Sequence, residues 1–99
     1  MKKKFPLVIP DRKPALVLDA IKHEIRKYLK RERRKPLPVG VDFWDFDCRV
    51  GAAAEDPAVQ HPGDLEKAIA EVQAAGGAEV YVEILAKPGQ RVKKDASGD

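Results

Sequence analysis

The sequence VDFWDFDCRV, residues 41–50, alternates apolar and polar side chains and therefore predicts a β-strand. Gly40 and Gly51 frame it, as residues that favour turns do at the ends of strands. Side chains two positions apart share a face of a strand. One face of this strand carries Trp44, Phe46, Cys48 and Val50, and the other carries Phe43, Asp45, Asp47 and Arg49. We expect the first face to be buried and the second to meet solvent.

Further strands are predicted on both sides of this segment. Residues 79–87 alternate in the same way and place Val80, Val82, Ile84 and Ala86 inward. Residues 5–9 form a short first strand with Phe5, Leu7 and Ile9 on one face, and Pro6 favours an edge position because proline lacks a backbone donor. Residues 57–60 form a weaker candidate for a return strand.

Two helices are predicted between these strands. The first runs from an Asp11 cap to about residue 35, tolerates Pro14 in its first turn and stops before Pro36. Its apolar residues recur at intervals of three and four and form one buried stripe. They are Val17, Leu18, Ile21, Ile25, Tyr28 and Leu29. The second helix begins at Pro62, buries Leu65, Ala68, Ile69 and Val72, and ends at Gly76 and Gly77.

These segments predict an α+β domain of the order β-α-β-(β)-α-β. With the short return strand, this order is the split βαβ arrangement known as ferredoxin-like. Without it, a three-stranded sheet remains. In both cases two helices cover one face of a three- or four-stranded sheet in a two-layer sandwich. We expect a single domain over residues 1–88 and a disordered tail over residues 89–99, which are small, polar or charged.

Composition and charge bound the class of protein. Cys48 is the only cysteine. The basic start superficially resembles a signal peptide, but its apolar run covers only residues 5–9, is interrupted by Pro6 and is followed by no cleavage site. No apolar stretch is long enough to span a membrane. We therefore expect a soluble cytoplasmic protein. The charge is unevenly distributed along the chain: residues 1–35 carry 13 Lys and Arg against 4 Asp and Glu, a net of +9, whereas residues 36–99 carry 6 against 12, a net of −6. Such a division indicates a basic surface that meets an acidic partner.

Three stretches resemble a known family. They are IKHEIRKYLKRERRKPLP at residues 21–38, VDFWDFDC at residues 41–48 and YVEILAKPG at residues 81–89. Together with the order of the intervening segments, they are similar to a family of small uncharacterised bacterial proteins and cover most of the chain. The resemblance implies a bacterial cytoplasmic setting and assigns no activity.

The end of the first helix is intensely basic, with seven cations in residues 26–35 and only Glu32 against them. The helix dipole favours cations in the last turn alone, so it does not account for those farther back. The candidate nucleic-acid-binding residues are Lys22, Arg26, Lys27, Lys30, Arg31, Arg33 and Arg34. Contact with phosphates is one interpretation. Contact with an acidic protein surface and a merely solvated helix remain alternatives, whereas a membrane role is disfavoured because the core needs the apolar face.

Other candidate sites have less support. Asp45, Asp47 and Glu83 face outward and could gather to hold Mg²⁺ or Mn²⁺, or could simply meet solvent. His23 and His61 are isolated, and neither forms a zinc set or a nucleophile–base pair with Cys48. We expect no catalytic residue and no cofactor. Phe43 and Tyr81 are the only outward aromatics, and they lie among carboxylates that repel phosphate, so the sheet face is a poor RNA surface.

The leading hypothesis is thus a non-enzymatic domain whose basic helix contacts nucleic-acid phosphates, RNA before DNA, with little sequence selectivity. The alternative is an interaction or self-associating module in which this helix meets an acidic surface, for example Asp45, Asp47 and Glu83 of a second copy in a homodimer. The third is a divalent-metal-dependent enzyme that uses these carboxylates.

Overall fold

A computed structural model describes residues 1–90 and has the element order β-α-β-β-α-β. The strands are β1 (Lys2–Pro6), β2 (Phe43–Gly51), β3 (Ala58–Gln60) and β4 (Glu79–Gly89), and the helices are α1 (Pro14–Arg33) and α2 (Leu65–Ala74), the latter preceded by a 3-10 turn over Pro62–Asp64. The predicted fold class is confirmed, including the short return strand. Gly89 ends β4 rather than starting a tail, and the rest of the predicted tail from residue 91 lies outside the described residues.

The four strands form one antiparallel sheet in the order β1-β4-β2-β3. Strands β1 and β2 are parallel to each other because both are antiparallel to β4, which lies between them. Helix α1 is the crossover that joins them. In the same way α2 joins β3 to β4, with β2 between. The two crossovers therefore interlock, and β4 and β2 become the central strands.

The core lies between the helices and one face of the sheet. Phe46, Cys48 and Val50 of β2 and Val80, Val82 and Ile84 of β4 point into it, as the alternation predicts. Helix α1 contributes Val17, Ile21, Ile25 and Leu29, and α2 contributes Leu65, Ala68 and Ile69. Leu18, Tyr28, Trp44 and Val72 pack against this cluster and are only partly buried. Ala86 was expected inward but is exposed, although it is opposite the buried Phe46 in the strand register.

The first strand differs from its predicted range of residues 5–9. Strand β1 covers three lysines, and its residues Lys2 to Pro6 pair with Glu83 to Glu79 of β4. Lysines are common on edge strands because their charge opposes pairing with another chain. Lys3 lies on the helix side of this edge and reaches Glu24 of α1, with 2.7 Å between Nζ and Oε2. Only Phe5 of the apolar run lies well inside the strand, whereas Leu7 is buried after it.

The start of α1 also differs from the prediction. Asp11 does not cap the helix, since its backbone has a φ of 65°, a left-handed value that aspartate tolerates in turns. The N-cap is Lys13, which makes no side-chain capping bond, and Pro14 occupies the first turn. Because proline has no backbone N–H, it leaves no unpaired donor in the first turn, and its φ is already helical. The helix therefore starts three residues later than Asp11.

Candidate nucleic-acid interface

Helix α2 lies beside the first half of α1 only. The two helices are antiparallel: Gln73 near the end of α2 donates to the carbonyl of Pro14, whereas Arg26 in mid-α1 reaches Glu66 in the first turn of α2. Residues of α1 after Arg26 therefore extend past the start of α2. Their inner side packs through Leu29, Glu32 and the partly buried Tyr28, and the rest of their surface is exposed.

Two of the basic residues form ion pairs within the molecule, and a third, Lys22, lies near one of the carboxylates involved. Arg26 donates two hydrogen bonds to the carboxylate of Glu66, at 2.7 Å from Nε and 2.6 Å from Nη2. These bonds lower the pKa of Glu66, to which the nearby charge of Lys22 adds, and raise the pKa of Arg26. Lys22 is half-buried. Lys35 pairs with Glu32 at 2.9 Å. Lys22 and Arg26, both predicted to contact nucleic acid, thus lie beside a carboxylate of α2.

The remaining predicted cations have no carboxylate partner. Within residues 1–90, no Asp or Glu oxygen lies within 4.0 Å of a side-chain nitrogen of five residues, which we call the basic surface. They are Lys27, Lys30, Arg31, Arg33 and Arg34, and all are exposed. The guanidinium carbon of Arg31 lies 5.5 Å from the ring centroid of Tyr28, and that of Arg33 lies 5.4 Å from the ring centroid of Phe46. These are cation–π distances, which position the two guanidinium groups without neutralising them.

One hydrogen bond joins the end of α1 to the sheet, and one ion pair lies within that end of the helix. The indole N–H of Trp44 donates to the backbone carbonyl of Lys35 at 2.9 Å. Glu32, which is buried except for 8% of its surface, faces inward beside Leu29 and binds Lys35. Because Trp44 belongs to β2, the sheet holds the last turn of the helix in place. The basic surface is therefore carried by a fixed element.

The carboxylates of the open sheet face have partners of their own. Lys87 lies 2.6 Å from Asp47 and 3.9 Å from Asp45, and this contact, with the Asp47 hydrogen bond as its main cause, raises the pKa of Lys87. Glu83 accepts a hydrogen bond of 2.8 Å from the Tyr81 hydroxyl, which raises the pKa of that phenol, and stands opposite Arg49 in the strand register.

The carboxylates of the predicted metal site have these partners in the structure. Asp45 is opposite Lys87, Asp47 is opposite Leu85, and Glu83 is opposite Arg49. Among residues 1–90 no group of three or more His, Cys, Asp or Glu side chains is placed to hold a metal ion. The open face is a mixed surface of both charges. It is neither a carboxylate cluster nor a strongly acidic patch.

The histidines and the cysteine have local roles. His61 accepts a hydrogen bond of 3.0 Å from the backbone N–H of Gly63 and so caps the 3-10 turn, while His23 is exposed on α1. Cys48 is buried to 1% exposure, and burial, with a smaller contribution from Asp47 and Asp45, raises the pKa of its thiol to about 11. A thiol that stays protonated at neutral pH is a poor nucleophile.

The structure adds a feature that the sequence reasoning missed. A cleft of about 490 Å³ opens beside the end of α1. It is lined by Arg33, Leu37, Asp42, Phe43 and Trp44. Phe43 and Tyr81 were predicted to lie among the carboxylates of the same sheet face. In the structure Phe43 is opposite Gly89, eight register positions from Tyr81 at the other end of the sheet. The available signal was the adjacency of two aromatics at the start of β2 to the basic run that ends α1.

Comparison with protein families gives one match. The model of a family of unknown function, DUF6172, covers residues 1–96. The chain belongs to the DUF6172 family. Comparison with curated proteins and with solved structures gives no match.

For this DUF6172 chain, the family assignment agrees with the resemblance inferred from the sequence and names no reaction. Neither helix within residues 1–90 is long and apolar enough to cross a membrane. What the described residues bring together is a fixed, exposed row of cations with an aromatic cleft at its end. Chemically, such an arrangement can bind anions and planar rings.

Proposed function

We propose that this DUF6172 chain is a non-enzymatic domain that contacts the phosphate backbone of nucleic acid, RNA before DNA, through its basic surface. One observation supports this most directly: the five cations of the basic surface, four in α1 and Arg34 at its C-cap, lie on the solvent side with no carboxylate partner among the described residues. A bacterial, cytoplasmic setting, expected from the resemblance and the single cysteine, is part of the proposal.

Repulsion among the cations of the basic surface favours the binding of an external anion. Lys27 and Arg31, and likewise Lys30 and Arg34, are like charges four residues apart, and each such pair destabilises a helix by roughly 0.2–0.5 kcal/mol. The helix dipole offsets this by about 0.3–1 kcal/mol for cations in the last turn, but Lys27 is too far from the C-terminus to benefit. The carboxylates of Glu66, Glu32 and Glu24 already bind Arg26, Lys35 and Lys3. A row of phosphates would relieve this repulsion and release counterions.

The pairing of the open sheet face favours phosphates over a second copy. Self-association through this face would need carboxylates that are free to meet the basic surface. Asp45 and Asp47 are instead engaged by Lys87, and Glu83 stands between Lys2 and Arg49 in the register. Recruiting them for a second copy would break contacts that exist within each molecule.

A matched pair of charge variants tests the proposal. Lys30→Gln with Arg34→Gln removes two cations of the basic surface, whereas Arg26→Gln with Lys35→Gln removes two paired ones. Both change the net charge equally, so any long-range effect is the same. We expect the first variant to lower affinity for a fluorescent single-stranded RNA by on the order of tenfold at low salt, and the second to lower it far less. DNA of the same sequence is the comparison ligand.

The same titrations contain the contradicting results. Equal losses in both variants would show that only net charge matters, and no binding of the wild-type chain at low salt would overturn the proposal. Light scattering of the nucleic-acid-free chain tests the alternative of self-association. A dimer that dissociates as salt rises would favour self-association through the basic helix.

A further inference from the structure

The cleft beside the basic surface has the composition of a site for a planar ring. We call it the Phe43 cleft; its lining residues are Arg33, Leu37, Asp42, Phe43 and Trp44. Phe43 is 39% exposed and Leu37 is 44% exposed, so apolar atoms of both meet solvent there. Its volume of about 490 Å³ lies within the range of roughly 300–1,000 Å³ that small-molecule sites occupy.

The walls of the Phe43 cleft are held in place by the fold. The Phe43 ring packs on the backbone of Gly89: a Cβ atom built on that glycine would lie 2.7 Å from Cζ of the ring, closer than real Cβ contacts. Gly89 thus provides a flat floor for the ring. Trp44 is fixed by its hydrogen bond to Lys35, and Arg33 by its position over Phe46. Rings held in one position lose little entropy when a ligand stacks on them.

Charge and hydrogen bonding select the kind of ligand. Asp42 lines the cleft, whereas Lys30 and Arg34 stand beside it at the end of α1. A peptide strand could in principle pair with the edge of β2 before β3 begins, but the backbone N–H of Phe46 on that edge is already bonded to the Asp45 carboxylate at 2.8 Å. A neutral planar group beside a phosphate chain fits both observations.

We propose that the Phe43 cleft takes one unstacked nucleobase, so that the ligand is single-stranded nucleic acid. The base stacks against Phe43, with the Arg33 guanidinium at the wall, while the flanking phosphates follow Lys30 and Arg34. Aromatic rings in single-strand-binding proteins act in this way and tolerate any base. A duplex keeps its bases stacked inside and cannot fill the cleft. This inference rests on the proposed function and specifies its ligand.

Single-stranded RNA, its duplex and an abasic strand of equal length test the inference. Trp44 is the only tryptophan of the chain and lines the cleft, so its fluorescence reports on occupancy. We expect the single strand to quench it and the duplex and the abasic strand not to. Phe43→Leu should weaken the single strand by about tenfold, within the contribution of stacking on one aromatic side chain, and leave duplex affinity unchanged. Tyr81→Leu, the same kind of change on the open face outside the cleft, should alter neither.

The outcomes separate this inference from the proposed function. Equal affinity for single strand and duplex, with no effect of Phe43→Leu, would overturn the base site and leave phosphate contact intact. Binding of no nucleic acid at low salt would overturn both. Quenching of Trp44 by poly-glutamate as strong as that by RNA would show that the cleft accepts an acidic peptide, which also contradicts a base site.

Discussion

Arg33 shows how one residue links the core to the interface. Its guanidinium lies over the ring of Phe46, which is only 4% exposed, while the neighbouring Arg34 has no such contact and faces solvent. A cation over an aromatic face keeps its charge and its outward donors. The core therefore orients one cation of the basic surface toward the Phe43 cleft. Tyr28 positions Arg31 in a similar way, whereas Lys27, Lys30 and Arg34 are placed by the turn of the helix.

Cys48 carries a prediction about alkaline stability. Burial raises the pKa of its thiol to about 11, compared with about 8.5 in an unfolded chain. Between these values the unfolded chain loses a proton that the folded chain keeps, so the free energy of unfolding should fall as pH rises from roughly 8.5 to 11. Denaturant unfolding at several pH values measures this. Cys48→Ala should flatten that part of the profile, and an unchanged slope in the variant would contradict the account.

At the scale of elements, Trp44 couples β2 to the end of α1. Trp44→Phe keeps the aromatic bulk and removes the hydrogen bond to the Lys35 carbonyl, which should cost about 0.5–1.5 kcal/mol of stability. We expect faster hydrogen exchange at the amides of Arg34 and Lys35, which close the last turn, and little change at mid-helix amides such as that of Ile25. Exchange rates that stay the same in the last turn would show that the sheet does not hold it.

The elements also show what the sequence can and cannot predict. Strand β2 and the buried stripe of α1 are specified by local alternation and periodicity, and most of their predicted inward residues are buried, whereas Trp44, Leu18 and Tyr28 are only partly so. Strand β1 was misplaced because its lysines become a strand only through pairing with β4, about eighty residues away. Neither the Arg26–Glu66 ion pair nor the Phe43 cleft could be predicted, because contacts between distant segments leave no local pattern in the sequence.

At the scale of the whole molecule, residues 1–35 form a basic segment and residues 36–99 an acidic one. Folding pairs only some of the charges of the basic segment with charges of the acidic segment. Glu66 of the acidic segment pairs with Arg26 of α1, whereas Asp45 and Asp47 pair with Lys87 of the same segment. The basic surface is left without a counterpart among the described residues. An uneven charge distribution of this kind steers a polyanion toward one side of the molecule, and the steering weakens as salt screens it.

The salt dependence of RNA binding tests the central claim most directly. If the five residues of the basic surface contact phosphates, the logarithm of the binding constant should fall with the logarithm of salt concentration with a slope of up to about −3.5 for single-stranded RNA. Lys30→Gln with Arg34→Gln should make the slope shallower by about 1.4, and Arg26→Gln with Lys35→Gln should leave it as in the wild-type chain. A flat salt dependence, or the same change of slope in both variants, would contradict the assignment of the basic surface as the interface.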